Sequence, residues 1–214
     1  MSMMDGVTEP EAPSKKSMDR RVRRSRRLLQ DTLVEMALRE GFGALTVEQI
    51  LAEADVGRAT FYAHYRDKNQ LLADVVRELF ADLEEHARPH SADAAAGFTG
   101  VPLRTIFELA QTQKDRYMLV LSGAGDGEAL RLFEDWLANW AREVFAARSA
   151  HHHTVPRIPL DLMGRVWAGE VIAVLRAWLR TDPADRLEPA MITQQLRDLS
   201  IEGRRWAMGY EPGE

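Results

Sequence analysis

The sequence contains no cysteine, which excludes a disulfide framework, a thiolate metal site and a cysteine nucleophile. It also has no long apolar run. A membrane helix needs about 20 apolar residues, whereas the best run, 171–179, is interrupted by Arg176. Residues 1–19 have no apolar segment of the kind found in secretory signal peptides. These absences predict a soluble, cytoplasmic protein with no membrane partner.

Signatures of catalysis are missing as well. The sequence has no phosphate-binding loop, no Gly-x-Ser-x-Gly elbow and no His-Glu-x-x-His pair. His151, His152 and His153 are consecutive, so they cannot all face one metal ion from regular structure. We therefore expect no metal, no cofactor and no enzymatic activity. An all-helical hydrolase or binding protein with a tryptophan-lined cavity is the alternative class.

Charge is distributed unevenly along the chain. The net charge is −5, yet residues 15–68 carry 12 basic and 8 acidic side chains. Residues 69–214 carry 16 basic and 22 acidic ones, and the segment 15–27 alone holds eight bases and one acid. A small cationic module on a larger acidic body indicates a polyanionic partner such as nucleic acid. A solvated basic tail is the alternative reading. Residues 20–27 could line phosphates or enter a minor groove, and a basic amphipathic helix that binds membranes is a weaker alternative.

Helical periodicity and turn residues divide the cationic module into short helices. A first helix is predicted over 19–40 and ends at the glycines of Gly41-Phe42-Gly43. Thr46 and Gln49 form a capping-box pattern for a second helix that reaches about residue 54. The turn at 55–57 leads to a third helix, and a second capping sequence at 67–70 opens a fourth. Two short helices around a three-residue turn are typical of a helix-turn-helix.

The stretch LTVEQILAEADVGRATFYAHYRDK, residues 45–68, resembles the DNA-binding domain of the TetR family of bacterial transcriptional regulators. The resemblance covers about residues 20–75, and its most specific part is Thr60-Phe61-Tyr62 followed by His64-Tyr65 and Lys68. Two positions depart from it: Asp55 stands where the family often has glycine, and Gly57 where it often has serine. Aspartate tolerates a left-handed turn and glycine is an acceptable N-cap, so the fold is still expected.

The resemblance implies that the third helix enters the major groove of operator DNA. Arg58, at its start, is the candidate reader of guanine, with phosphate binding as the alternative role. Phe61 and Tyr65 are expected in the core, and packing is an alternative for His64. The full set of predicted DNA contacts is Thr46, Arg58, Ala59, Thr60, Tyr62, Ala63, His64 and Lys68: Ala59 and Ala63 toward thymine methyl groups, and Thr46, Thr60, Tyr62, His64 and Lys68 toward phosphates.

The rest of the chain predicts helices only, over about 101–122, 128–148, 160–180 and 187–207. The fold class is therefore all-α. We predict a disordered arm over 1–17, a three-helix helix-turn-helix domain over 18–68, and a larger helical domain for ligand binding and dimerisation over 69–214.

The helix at 160–180 is apolar over a wide arc and should bury two sides. In the family that the sequence resembles, the last two helices of each subunit form a four-helix dimer interface. The predicted interface residues are Gly164, Ala168, Val171, Leu175, Leu179, Leu196, Leu199 and Gly203. A large monomer core is the alternative.

The resemblance also implies a small-molecule cavity in the C-terminal domain and repression of a palindromic operator that the ligand relieves. Candidate lining residues are Phe107, Met118, Trp136, Trp140, Trp167, Glu170 and Trp178, although such residues also build ordinary cores. Glu170 would meet either a ligand cation or an arginine such as Arg131 or Arg142, because a buried carboxylate requires a partner.

Overall fold

The computed structural model describes the backbone of residues 15–91 and 100–207, and the side chains of residues 20–91 and 100–201. Within these ranges all regular structure is helical, which confirms the all-α prediction. The helices are α1 (Lys15–Glu40), α2 (Val47–Ala54), α3 (Arg58–Tyr62), α4 (Lys68–His86), α5 (Val101–Thr112), α6 (Lys114–Leu121), α7 (Glu128–His151), α8 (Leu160–Arg180) and α9 (Pro189–Ala207). None of the described helices is both long enough and apolar enough to cross a membrane.

Two predicted boundaries differ from the structure. The segment predicted as one helix over 101–122 is two helices, because Gln113 adopts φ −116 and ψ 37 between α5 and α6. The Gln113 side-chain amide donates to Asp82 Oδ2 at 2.6 Å, which holds this break against α4. The predicted disordered arm falls mostly on residues 1–14, which lie outside the described residues. Its last three residues, 15–17, already belong to α1.

Two turns use the left-handed backbone conformation that their residues favour. Asp55 closes α2 with φ 50 and ψ 44, which confirms that aspartate takes this role here. The turn after α6 places Gly123, Gly125 and Gly127, and also Asp126, at positive φ, a region that glycine adopts without strain and aspartate tolerates. A Cβ on Gly125 would lie 2.8 Å from Leu72 Cδ2, so this turn rests directly on α4.

One apolar core runs through the whole described chain. Its N-terminal part is built by α1 to α4, with Leu29, Ile50 and Phe61 fully buried. Helix α4 continues past these helices, and its Leu79 and Leu83 are fully buried further along the same helix. Helix α4 therefore belongs to both the N-terminal module and the C-terminal body.

Helices α7 and α8 form a closely packed antiparallel pair. Gly164 of α8 lies against the backbone of α7 so closely that an added Cβ would collide with the Ala138 carbonyl oxygen. Backbone atoms cannot give way as a flexible side chain does, so this crossing requires glycine.

Candidate nucleic-acid interface and internal cavity

The capping box predicted at the start of α2 is present. Thr46 Oγ1 accepts from the Gln49 backbone N–H at 3.2 Å, and the Thr46 N–H donates to Gln49 Oε1 at 2.8 Å. These two bonds satisfy amides that a helix leaves free at its start. The pair fixes where α2 begins and therefore how the 55–57 turn presents α3.

Helix α3 starts after Gly57, which is its N-cap in an extended conformation. Arg58 follows as the first helical residue. Its side chain is 71% exposed and its nearest carboxylate is Glu48, at a long 3.6 Å. An exposed pair of this length holds a guanidinium only weakly. Arg58 is therefore free to turn toward another partner, as the sequence predicts.

The two faces of α3 divide as expected. Phe61 and Tyr65 are 0% and 4% exposed, whereas Tyr62 between them is 54% exposed. The Tyr62 ring stands edge-on to Phe61, with ring centroids 5.2 Å apart. The outward positions Arg58, Ala59, Tyr62 and Ala63, together with Thr46, are all exposed.

Thr60 and His64 occupy intermediate positions. Both are half-buried, and the His64 ring lies edge-on to Tyr65 with centroids 6.3 Å apart. His64 therefore has a packing contact, and its exposed part lies beside the outward face of α3. Both readings made from the sequence remain compatible with this placement.

Lys68 is placed differently from the sequence prediction. Its ammonium donates to three backbone carbonyls, those of Phe42 at 2.9 Å, Gly43 at 3.1 Å and Leu45 at 2.6 Å. It also lies 4.8 Å from the centre of the Phe42 ring. A lysine ammonium has three donors, and all three are engaged inside the chain. The structure thus corrects the expected phosphate contact: Lys68 fastens the start of α4 to the turn after α1.

A buried carboxylate holds the N-terminal helices to α4. Asp74 of α4 is 2% exposed. Its Oδ2 accepts a hydrogen bond from Tyr65 Oη at 2.6 Å. The same oxygen accepts from Arg26 Nη2 at 2.8 Å and from Gln30 Nε2 at 3.1 Å. Arg77 also contacts the carboxylate. The Asp74 side chain of α4 therefore links α1, through Arg26 and Gln30, to Tyr65, which follows α3.

The ionisation of this cluster follows from its contacts. Burial alone would raise the pKa of Asp74, but hydrogen bonds from Tyr65 and Arg26 outweigh it and bring the pKa below its usual value. Burial, with the hydrogen bond to Asp74, raises the pKa of Tyr65 to about 12. The cluster consequently holds a carboxylate, a neutral phenol and a guanidinium at neutral pH.

The basic segment of α1 has two kinds of arginine. Arg26 is engaged with Asp74, so it is not a DNA contact in this arrangement. The side chains of Arg20, Arg21, Arg24 and Arg27 are exposed. Of the residues 20–27 predicted to line phosphates or enter a minor groove, the exposed arginines therefore remain candidates for DNA contacts.

A second ionic contact joins the N-terminal module to the C-terminal body. Arg116 of α6 donates to Asp31 of α1 and to Glu78 of α4, each at 2.8 Å. Burial would lower the pKa of Arg116, but its two carboxylate partners raise it. Arg116 therefore ties three helices together at the boundary between the two parts of the chain.

An internal cavity of about 520 Å³ lies in the C-terminal body, a volume typical of small-molecule sites. Helices α5, α7, α8 and α9 and the loop before α8 surround it. It is partly open to solvent, since its lining residues Arg157, Ile158 and Ser200 are exposed. Its lining comprises Gly100, Pro102, Leu103, Trp140, Ala141, Val144, Phe145, Arg148, Ser149, Thr154, Pro156, Arg157, Ile158, Leu160, Met163, Trp167, Arg197 and Ser200.

Only two of the seven predicted lining residues, Trp140 and Trp167, belong to this cavity. The other five, Phe107, Met118, Trp136, Glu170 and Trp178, do not line it.

The excluded aromatic residues have core contacts that account for their positions. Phe107 and Trp178 pack on each other at 5.2 Å between ring centroids. The Trp136 indole N–H donates to Glu84 at 3.2 Å, and its ring stacks on Phe80. The sequence could not separate core from cavity aromatics, because both kinds recur on the same helices.

The predicted dimer face also requires correction. The structure buries Gly164, Ala168, Val171, Leu175, Leu179 and Leu196 inside the chain, so these residues cannot contact a second subunit. Leu199 is half-buried, and the side-chain position of Gly203 lies outside the described residues. The prediction selected the more apolar side of α8, which the chain itself needs for packing against α7.

The outward side of α8 carries a different stripe, which the sequence analysis missed. Leu162 and Val166 are 51% and 62% exposed. Gly169, Ala173 and Ala177 continue the same face at helical spacing and are exposed. Among the described residues, no atom outside α8 lies within 4 Å of a Cβ placed on Gly169. The charged residues between these positions concealed the stripe in the sequence.

With this geometry established, comparison with known proteins identifies the N-terminal module. Residues 30–75 match the model of "Bacterial regulatory proteins, tetR family". Residues 30–75 therefore form a module similar to the DNA-binding domain of this family. The match covers α2, α3 and the exposed side chains of α3, and it agrees with the resemblance found in the sequence.

Three similar proteins give the extent of the likeness. The HTH-type transcriptional regulator YxbF of Bacillus subtilis is 32% identical over 77 residues, 36% of this chain but only 20% of that protein. The HTH-type transcriptional repressor DhaR of Mycobacterium sp. strain GP1 is 24% identical over 154 residues, 64% of this chain and 76% of that protein. The structure of the fatty acid degradation regulator FadR from Bacillus halodurans aligns with a TM-score of 0.69 at 13% identity, covering 85% of this chain and 96% of that one. The fold is therefore shared over most of the chain.

Proposed function

We propose that this chain is a dimeric TetR-family repressor that binds palindromic operator DNA and is released by a small molecule in its internal cavity. The observation that carries the proposal is the exposed face of α3. Its guanidinium, phenol and small side chains point outward while Phe61 and Tyr65 anchor the helix from behind.

The division of roles on this face follows from the chemistry of DNA. Arg58 has a fork of donors that matches guanine in the major groove. Tyr62 and Thr46 have hydroxyl groups suited to phosphate oxygens, and the exposed arginines of α1 add sequence-independent attraction. Ala59 and Ala63 keep the helix close to the base edges. These contacts would occur where the chromosome is, in the cytoplasm.

Dimerisation is supported by the outward stripe of α8, defined by Leu162, Val166, Gly169, Ala173 and Ala177. Exposed leucine and valine side chains are unfavourable in water, and the small residues let a second helix approach closely. A two-fold pair of chains would present two α3 helices to successive turns of a major groove.

The experiment that tests this function is a gel shift on duplex fragments with and without the palindrome that lies nearest to the gene. We expect binding at nanomolar concentrations to the palindrome and an affinity that falls steeply with salt. Equal binding to both fragments, or none to either, would refute operator recognition. An enzyme with a tryptophan-lined cavity, the alternative class, would show no such salt dependence.

A further inference from the structure

The wall of the internal cavity is cationic, although the whole chain carries a net charge of −5. Arg148, Arg157 and Arg197 line it, and none of the lining residues described by the structure is an aspartate or a glutamate. Ser149, Thr154 and Ser200 add hydroxyl groups to the same lining. The described lining therefore offers three guanidinium groups to an anion and no carboxylate to a cation.

Helix α7 contributes an aromatic and a cationic residue to the lining, about two turns apart. Trp140 meets Trp167 of α8 edge to face, with ring centroids 6.4 Å apart. Arg148 follows Trp140 on α7 at a distance of about 12 Å along the axis, from a rise of 1.5 Å per residue. Arg157, in the loop before α8, lines the cavity together with Arg148. Along α7 the lining therefore runs from Trp140 to Arg148, whose guanidinium lies 5.9 Å from the centre of the Phe145 ring.

Two of the arginines are held in partly dry surroundings. Burial lowers the pKa of Arg148 from its ordinary value, although a guanidinium remains charged in any protein. Arg197 donates to Gln194 through Nη1 at 3.1 Å, while its buried Nε has no hydrogen-bond partner among the described residues. A charge in such surroundings gains more from an anion than an exposed charge does.

Asp161, the acidic residue that lies next to the cavity lining in the sequence, pairs with Arg142 outside the cavity. Asp161 follows the lining residue Leu160, but its side chain is 83% exposed and lies 3.5 Å from Arg142. Neither Asp161 nor Arg142 lines the cavity.

We propose that the cavity binds an amphiphilic anion, with its headgroup at Arg148 and Arg197 and its apolar body between Trp140 and Trp167. The volume of about 520 Å³ accommodates a small molecule and no macromolecule. Binding of the anion does not depend on the proposed function. The further statement that the bound anion releases DNA does rest on it.

Three probes with the same alkyl chain test the headgroup: decanoate, decanol and decylamine, each kept below its aggregation concentration. Binding is measured by calorimetry and by tryptophan fluorescence, since two of the five tryptophans line the cavity. We expect decanoate to bind about tenfold or more tightly than decanol, and decylamine most weakly, because a charge-assisted contact adds to the shared apolar burial. Decanoate that fails to bind, or binds no more tightly than decanol, overturns the inference.

Variants locate the headgroup. Arg148→Gln and Arg197→Gln should each weaken decanoate binding about tenfold and leave decanol within about twofold, which also shows that the cavity is still formed. Arg148→Lys keeps the charge and should retain part of the decanoate affinity. The matched control is Arg104→Gln, since Arg104 is exposed on α5 and pairs with Glu108 outside the cavity. Equal losses of decanoate affinity in the control and in both cavity variants would refute the assignment.

Failure of this inference can be told from failure of the proposed function. Operator binding by the ligand-free protein is measured in the gel shift, without any probe. A protein that binds the palindrome but prefers decanol or decylamine keeps its function and loses the anionic ligand. A protein that binds decanoate and no operator loses the function and keeps the anion site.

Discussion

The ammonium of Lys68 lies 2.6 Å from the carbonyl oxygen of Leu45, across a sequence separation of 23 residues. With the carbonyls of Phe42 and Gly43 it closes the turn between α1 and α2 onto the start of α4. Lys68 thus has a structural contact, which positions α2 and, through it, α3.

Replacing Lys68 by methionine should consequently reduce the free energy of unfolding by about 2 kcal/mol, because three carbonyls lose a charged donor. Urea denaturation followed by circular dichroism measures this. For the fraction that remains folded, the slope of operator affinity against salt concentration should not change. A smaller slope with unchanged stability would restore the phosphate contact that the sequence suggested.

Arg58→Ala should reduce operator affinity by about 1–3 kcal/mol and relax the preference at one base position in each half-site. The side chain is exposed and only loosely paired with Glu48, so its removal should leave stability almost unchanged. Gel shifts on operators randomised at single positions measure the preference, with Arg104→Ala as the control. Equal losses on specific and random DNA would assign Arg58 to a phosphate.

Asp74→Asn should destabilise the protein by about 3 kcal/mol at neutral pH, because the buried phenol of Tyr65 and the partly exposed guanidinium of Arg26 lose their charged acceptor. The pKa of Asp74 is lowered in the folded state. Its contribution is therefore present above the unfolded pKa of about 4 and is lost as the pH falls through the lower folded value. The stabilities of wild type and variant should converge in acid. A difference that persists unchanged at pH 2 would contradict the assignment.

Ala173→Arg should produce a folded monomer, since the new side chain would stand in the middle of the outward stripe of α8. Light scattering at micromolar concentration gives the oligomeric state, and thermal unfolding verifies the fold. Ala168→Arg is the informative counterpart: Ala168 is 0% exposed, so this change should unfold the chain rather than separate two chains. A wild-type monomer would remove the dimer from the proposal.

Arg116→Gln should weaken the link between ligand and operator. The variant loses the guanidinium that bridges Asp31 and Glu78, and with it part of a coupling that is typically 1–3 kcal/mol. Decanoate should still bind, by tryptophan fluorescence, while the ratio of operator affinities without and with decanoate moves toward one. An unchanged ratio would show that the signal takes another route, such as the Gly125 turn on Leu72.

The sequence predicted the local structure well, because each start and end depends on neighbouring residues. Thr46 with Gln49, and Asp55 at the end of α2, are examples in which a short pattern determines the backbone. Lys68 was predicted less well, since its three carbonyl partners are brought to it only by folding. Arg148 and Arg197 were missed because no pattern relates α7 to α9, which meet around the cavity only in three dimensions.

The choice of the wrong side of α8 has a similar cause. Apolar periodicity shows which side of a helix is most hydrophobic, and the most hydrophobic side of α8 is buried against α7. A surface used between chains has to remain tolerable in water before the chains meet, and it is consequently a mixture of apolar, small and charged residues. The stripe from Leu162 to Ala177 has this mixed character.

The crossing at Gly164 determines where the C-terminal body can yield. The backbones of α7 and α8 are in contact at this crossing, so the two helices have little room to move relative to each other there. The cavity lies beside the crossing and is lined by residues of both helices. We therefore expect a ligand that enlarges the cavity to displace α5 and α9 rather than to separate α7 from α8. Helix α5 leads through Gln113 into α6, and α6 carries Arg116. In the proposed function, the close approach at Gly164 would thus direct the displacement away from α7 and α8 and toward the N-terminal helices.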